Sequence, residues 1–320
     1  MSAAPASLAR RLLEKPWLWA FVGAGLVWLA TIPFTPGRGA GDVLVAAFTF
    51  ATFFVIVGIG QMFVITLGPG NVDLSMPATI TLAGSVATKL MDSQDALIAL
   101  GFVAAMGCGI AVGAVNYALI RALRIPPIIA TLSSSFIIQS TAIAYGRGLR
   151  IKPPPALADF TTGRILGFPV LALCVIALAA LMAVVLHRTI FGRSVIAIGQ
   201  NQRAARLAGI AVDWTRLATY VMSALFASLC GYLLAAFSGG ASLNMGEEYL
   251  LASIAVVVIG GTSVAGGFAN LPGLWGASLF LFLIVTMLNT YGLGAGIRYV
   301  LTGLIIIAVI TAAGGRKPVR

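Results

Sequence analysis

Long runs of apolar residues recur from one end of the chain to the other, separated by short polar stretches. An α-helix of about 20 apolar residues spans a hydrocarbon core of about 30 Å, whereas the strands of a transmembrane barrel are shorter and alternate in polarity. The pattern therefore predicts an all-α, polytopic integral membrane protein with about ten transmembrane helices, some of them interrupted. The apolar runs are 17–36, 43–67, 73–91, 96–120, 126–145, 167–187, 217–237, 249–262, 271–291 and 297–313.

Composition agrees with this prediction. Hydrophobic residues make up 60% of the 320 residues and charged residues only 9%, whereas about a quarter of a soluble domain is charged. A soluble globular enzyme, a disordered chain and a disulfide scaffold are excluded. Three cysteines at irregular spacing and a single histidine are too few for the usual zinc or haem sites. We therefore expect no metal and no cofactor.

The first apolar run has two interpretations. Three basic residues precede it, as in a secretory signal peptide. The run contains three tryptophans, which suit a membrane interface, and it ends without a small-x-small cleavage site. We therefore predict a retained first helix, preceded by an N-terminal tail at 1–16.

The net charge of +11 is distributed unevenly along the chain. With a cytoplasmic N-terminus, the inside segments hold thirteen basic and two acidic residues, and the outside loops hold six of each. This is the positive-inside bias of membrane proteins. It predicts that both termini are cytoplasmic, with a C-terminal tail at 314–320. We therefore expect the basic residues to contact membrane lipid, and we expect no nucleic-acid partner.

The first interruption of the helical pattern lies at 68–77, where two glycines and two prolines divide a long apolar stretch. Irregular backbone at membrane depth is tolerated only where it is buried in protein or lines a water-filled cavity. Asp73 lies within it, and a carboxylate in a membrane commonly serves a function. The alternative is a plain turn, with Asp73 as the N-cap of the next helix. The sequence leaves both open.

A second interruption begins at Thr131, just past Pro126 and Pro127, and places four hydroxyl side chains in five positions. Serine and threonine in membrane helices often bond to their own backbone or allow helices to pack closely. The functional alternative is a polar lining for a translocation path.

The third interruption is the long basic segment 188–216. Its centre has the pattern of a short amphipathic helix, with Gly199 and Gly209 as breaks at its two ends. Such a helix could rest on anionic headgroups or meet the surface of another protein.

The fourth interruption is the glycine-rich stretch 258–267, which follows the short apolar run 249–262. That run is either a half-span or a helix that continues through the glycines, where small residues would allow close packing.

The chain has no phosphate-binding loop, because none of its four lysines follows a glycine. It also has few carboxylates inside the apolar runs, and ion-coupled carriers usually need more of them. Energy for active transport is therefore expected to come from another chain.

Four ordered groups of residues carry a family resemblance. They are Gly60–Ile65 with Val72–Ser75, Ile125–Leu132, Thr189–Arg193 with Ala197–Asn201 and Ala204–Ile210, and Ala252–Ser263 with Gly266 and Gly267. In these segments, which fall across 50–315, the chain resembles the ribose-type permease subunits of bacterial ATP-binding-cassette (ABC) importers for monosaccharides. The related branched-chain amino-acid permeases are less similar around Asp73–Ser75, so a sugar is favoured.

The resemblance implies a single permease domain over 1–320, in the bacterial inner membrane, that moves a monosaccharide into the cytoplasm and is not an enzyme by itself. Its implied partners are cytoplasmic ATPase subunits docked on the loop 188–216, a periplasmic sugar-binding protein, and a second permease subunit, either identical or a sister chain. The implied ATPase-coupling residues are Arg193, Asn201, Ala204, Ala205, Arg206 and Gly209. Along a path at the subunit interface, the predicted positioning or lining residues are Asp73, Ser75, Thr131 and Ser133.

Three alternatives remain open at this point. An ion-coupled secondary carrier would work without ATPase chains. A permease for branched-chain amino acids would share the architecture but not the substrate. A membrane scaffold or passive channel would show no dependence on ATP and would tolerate substitutions at 199–209.

Overall fold

The computed structural model describes residues 16–34, 39–148, 150–290 and 295–314. Within these residues it contains thirteen α-helices and one two-stranded hairpin, and each apolar run contains a helix. The helices are α1 (Pro16–Thr31), α2 (Ala40–Thr66), α3 (Met76–Met91), α4 (Ile98–Leu123), α5 (Pro127–Gly146), α6 (Pro155–Thr162), α7 (Val170–Arg188), α8 (Ile190–Gln200), α9 (Gln202–Leu207), α10 (Val212–Phe237), α11 (Tyr249–Ile259), α12 (Leu271–Thr290) and α13 (Ala295–Gly314). The hairpin pairs β1 (Arg164–Ile165) with β2 (Phe168–Pro169) in antiparallel register.

The polytopic, helical class is confirmed. Six segments in the described part of the chain are long and apolar enough to cross a membrane, and they contain α2, α4, α5, α7, α10 and α12. Two shorter apolar helices, α1 and α11, accompany them. The tails predicted at the two ends lie mostly outside the described residues, so the ten crossings and the location of the termini stay predictions.

Helix α10 lies at the centre of the bundle and packs against α2, α3 and α4. Glycines allow these close approaches. A Cβ placed on Gly113 of α4 would lie 2.4 Å from Val221 Cα, and one on Gly231 of α10 would lie 2.1 Å from the carbonyl oxygen of Ile80 in α3. Because lipid gives no hydrophobic force that draws helices together, such close packing contributes much of their association.

The third interruption contains the predicted short helix, but Gly199 is not the break at its start, because Gly199 lies within α8 and the chain leaves the helical conformation at Asn201. The centre of 188–216 contains the short helix α9, after which Gly209 adopts a left-handed backbone with φ +84°. In the fourth interruption α11 ends at Ile259, so the run 249–262 is a short helix that stops at the glycines. Helices α6 and α8 were not predicted, because each lies in a stretch with interspersed polar residues that lacks a long apolar run.

We expect Gly113→Ala to destabilise the protein, because the added methyl group meets the backbone of α10 and overpacking costs about 1–3 kcal/mol. The matched control is Gly107→Ala on the same helix, where a Cβ would have nothing within 4 Å among the described residues. Thermal unfolding of the detergent-purified protein measures the difference. Equal midpoints for the two variants would contradict the proposed role of Gly113 in packing.

Candidate functional site

The segment 67–75 between α2 and α3, which we call the break, is irregular and partly buried, and the amides of residues 73–75 in it are bonded to side chains. The Asp73 N–H donates to Gln61 Oε1 over 3.3 Å, and the Leu74 N–H donates to Thr131 Oγ1 over 3.1 Å. The Ser75 N–H donates to Asp73 Oδ1 over 3.0 Å. Three consecutive donors thus find acceptors on α2, on α5 and within the break itself, which is how irregular backbone can lie inside a membrane protein.

The Asp73 carboxylate joins the break to the central helix α10. Its Oδ1 also accepts a hydrogen bond from Ser75 Oγ at 2.6 Å, and its Oδ2 accepts one from Ser223 Oγ at 2.8 Å. The residue is only 1% exposed. Asp73 is not the N-cap residue of α3, a position that Ser75 holds, although its carboxylate accepts the Ser75 N–H just before the helix begins. A buried carboxylate with three donors is instead a satisfied acceptor.

A second layer extends these contacts to α4 and α5. Asn116 Nδ2 donates to Ser75 Oγ over 2.7 Å, and Ser134 Oγ donates to Asn116 Oδ1. All members of this group are buried. We call them the polar cluster, and they are Gln61, Asp73, Ser75, Asn116, Thr131, Ser134 and Ser223. The only unpaired nitrogen or oxygen of their side chains within the described structure is Gln61 Nε2.

Three of the four predicted path residues, Asp73, Ser75 and Thr131, come together in the polar cluster. Thr131 has the backbone-bonding form of the two sequence alternatives, since its Oγ1 lies 3.0 Å from the Pro127 carbonyl of its own helix and 3.1 Å from the Val72 carbonyl of the break. Its side chain is thus occupied with backbone groups.

Ser133 is separate from the cluster and exposed on the outer face of α5. Farther along this helix lies a shallow, open stretch of surface that residues of α5 alone form, namely Phe136, Ile137, Ser140, Thr141 and Ala144. The four path residues therefore divide into a buried group and one outward-facing hydroxyl.

The break also contacts the beginning of α10, close to the segment 188–216. Asn71 Oδ1 accepts hydrogen bonds from Arg216 Nη2 at 3.3 Å and from Tyr220 Oη at 3.1 Å. One turn earlier on α10, Asp213 pairs with Arg121 of α4. These bonds fix the first turns of α10 against both α4 and the break.

Helix α9 is a well-defined unit on the surface. Asn201 caps it by accepting a hydrogen bond from the Ala204 N–H over 3.0 Å. Five of the six predicted coupling residues are exposed, and they are Arg193, Asn201, Ala204, Arg206 and Gly209. Ala205 is only 5% exposed and belongs to the apolar core. Its small side chain therefore lets α9 pack closely against the rest of the chain.

The sequence reasoning missed several residues of both regions. Leu207 on α9 is 84% exposed, a large apolar side chain on a surface helix that is otherwise polar or small. In the polar cluster, Asn116, Ser134 and Ser223 were not singled out as site residues, and Gln61 appeared only within a motif. The available signal was an amide inside an apolar run, since such groups need a partner.

Replacing Asp73 tests whether its acceptor role holds the break together. We expect Asp73→Leu to lower the unfolding temperature strongly, because each buried donor left without an acceptor costs about 1–3 kcal/mol. Asp73→Asn keeps one acceptor oxygen, and the Ser223 hydroxyl can turn to accept from the new amide, so this loss is expected to be smaller. The exposed Asp42→Leu serves as control. Equal stability of Asp73→Leu and the control in detergent would show that the carboxylate is dispensable.

Comparison with known proteins identifies the family. The family described as "Branched-chain amino acid transport system / permease component" matches residues 43–310. The ribose import permease protein RbsC of Escherichia coli K12 is 31% identical over 263 residues, 80% of each chain. RbsC of Bacillus subtilis is 31% identical over 262 residues, 80% of this chain and 79% of its own.

Other relatives have different named substrates. The autoinducer 2 import system permease protein LsrC of an Enterobacter species is 27% identical over 307 residues, 95% of this chain and 88% of its own. No solved structure matches the chain. The family match covers both the polar cluster and α9, and the chain therefore belongs to this family of membrane permease components.

Proposed function

We propose that the chain is the transmembrane subunit of an ABC importer that moves a monosaccharide across the inner membrane into the cytoplasm. The observation that carries the proposal is similarity over most of its length to permeases named for ribose import. The family description names branched-chain amino acids, so an amino acid is the second candidate substrate. The two relatives reported above at 31% identity are named for ribose, which favours the sugar.

The proposed arrangement in the membrane has ten crossings and both termini in the cytoplasm, with 1–320 as one permease domain. The excess of basic residues on one side supports this topology. It places α8 and α9 at the cytoplasmic surface and the β1–β2 hairpin on the outside.

The proposed partners are two cytoplasmic ATPase subunits, a periplasmic sugar-binding protein and a second permease subunit, identical or sister. The permease would supply no ATPase site of its own, so its work is to convert movement of the ATPases into movement of helices. The proposed docking surface is the exposed side of α9 with its flanks. Leu207 would supply apolar contact, and Arg193 and Arg206 would pair with acidic groups. The buried Ala205 would act indirectly, because its small side chain lets α9 pack against the rest of the permease.

The proposed path runs along the outer face of α5, where two permease subunits would meet. The exposed hydroxyl side chains of Ser133 and Ser140 support this location, because a path between subunits needs polar groups on an outward face. Asp73, Ser75 and Thr131 would then be positioning residues that hold α5 against α2, α4 and α10.

Docking is tested by expressing the permease with its neighbouring open reading frames and measuring the ATPase that co-purifies with it. We expect Leu207→Asp to reduce the bound ATPase about tenfold, the effect of losing about 1.4 kcal/mol of contact energy. Leu166→Asp in the hairpin is the matched control, since Leu166 is 103% exposed and lies on the proposed outer side. Ala205→Glu and Gly209→Trp should also release the ATPase, but they alter α9 itself.

The outcomes separate the candidate functions. Wild-type protein that binds no ATPase and imports solute on an ion gradient alone would establish the secondary carrier. Flux down a gradient without ATP would establish a channel. Uptake of ribose versus leucine by the reconstituted importer separates sugar from amino acid.

The path is tested by adding bulk to the outer face of α5. We expect Ser133→Phe to cut sugar uptake about tenfold or more while the amount of bound ATPase stays unchanged, because a ring would obstruct the path without touching α9. Ala111→Phe, on an exposed face of α4, is the control and should import normally. Uptake at the wild-type rate by Ser133→Phe would move the path away from α5.

A further inference from the structure

Three stretches of backbone meet at the base of α9, and glycine makes the meeting possible. A Cβ on Gly199, near the end of α8, would lie 1.9 Å from the carbonyl oxygen of Thr66 and 2.4 Å from the Gly267 nitrogen. A Cβ on Gly266 would lie 2.3 Å from Gly68 Cα. We call this contact the glycine junction, and it is formed by Thr66, Gly68, Gly199, Gly266 and Gly267.

The junction is bonded as well as packed. The Gly267 N–H donates to the Thr66 carbonyl over 3.0 Å, so the loop after α11 is tied to the last turn of α2. A side chain on Gly267 would also meet Gln200, the last residue of α8, with Cγ at 2.6 Å. Real Cβ atoms essentially never approach backbone this closely, so the three stretches lie in direct backbone contact that a larger residue at Gly199, Gly266 or Gly267 would disturb.

The junction adjoins both the docking helix and the break. Asn201, two residues after Gly199, caps α9. On the other side, Gly68 begins the segment that leads to the polar cluster. The chain after α9 also contacts this segment. Helix α10 starts at Val212, and its Arg216 and Tyr220 both donate hydrogen bonds to Asn71. The segment 66–73 is thus contacted by residues that precede α9, at Gly199, and by residues of α10 that follow it.

We propose that these two attachments, the glycine junction and the Asn71 contact, couple α9 to the break between α2 and α3. When α9 moves, these two contacts displace residues 66–73. That displacement reaches the polar cluster, where α4, α5 and α10 meet. Gly199, Gly266 and Tyr220 are positioning residues in this scheme. The inference rests on the proposed docking of an ATPase at α9.

Two matched pairs of variants isolate the junction. Gly266→Ala and Gly239→Ala introduce similar backbone strain, because the two glycines have φ +84° and φ +78°. A Cβ on Gly266 would meet neighbouring backbone within 4 Å, whereas a Cβ on Gly239 would meet nothing among the described residues. Gly199→Ala and Gly107→Ala are both helical and differ in the same way. Tyr220→Phe removes only the hydroxyl that reaches Asn71 and is the variant least expected to perturb folding.

The experiment uses the full importer reconstituted in vesicles with ATP inside. It measures bound ATPase, ATP hydrolysis, and uptake of the sugar that the wild-type importer accepts from a panel beginning with ribose. For Gly199→Ala, Gly266→Ala and Tyr220→Phe we expect normal ATPase binding but sugar imported per ATP lowered about tenfold, equivalent to a shift of about 1.4 kcal/mol between two states. The two control variants should keep the wild-type ratio.

Hydrogen exchange on the detergent-purified permease provides a readout that needs no partner. Amides 73–75 should exchange faster in the junction variants than in their matched controls, because the break loses its support. Unchanged exchange together with an unchanged ratio of sugar to ATP would overturn the coupling proposal while leaving the importer intact. Absence of any bound ATPase in the wild type would instead overturn the proposed function, and the coupling proposal with it.

Discussion

The need to bond every buried backbone donor in the break between α2 and α3 organises the functional half of this molecule. Water cannot satisfy these groups inside a membrane protein, so the acceptors have to come from neighbouring helices. Gln61 reaches the break from α2 and Thr131 reaches it from α5, while Asp73 bonds within the break and to Ser223 of α10. The irregular backbone of the break depends on acceptors from those helices, and the same hydrogen bonds help to position the helices.

Close helix packing is the complementary constraint. The central helix α10 is approached through glycines on its neighbours and through its own Gly231, so its position tolerates little change. At the end of the bundle that carries α9, glycines from α8 and from the loop after α11 reach the backbone of α2 in the same way. Tightly packed interiors are barely compressible and transmit strain, a property that suits the proposed role of the subunit in transmitting movement.

Location divides the polar residues into two kinds. Asp73, Ser75 and Thr131 are buried with their bonds made, and such groups specify how helices meet. Ser133 faces outward on α5, where a second subunit would complete its surroundings. The same division applies to the segment 188–216, where Ala205 of α9 is buried and Leu207 is exposed. Residue type alone does not separate these roles, because burial decides whether a hydroxyl or a methyl group acts within the chain or on a partner.

Much of the fold followed from the sequence, because a span must be long and apolar whatever surrounds it. That requirement located the ten helix-containing runs, and the glycines and prolines located the breaks at 68–77 and 258–267. The motifs indicated the family and the surface helix near 202–207. Only the tertiary structure decided that Asp73 bonds to Ser75 and Ser223, that Thr131 and Ser133 belong to different environments, and that Gly199 meets Gly267 and Thr66. Hydrogen bonds and backbone contacts between residues up to 150 positions apart depend on how the helices cross. The apolar pattern of a helix does not indicate which neighbouring helix it will contact.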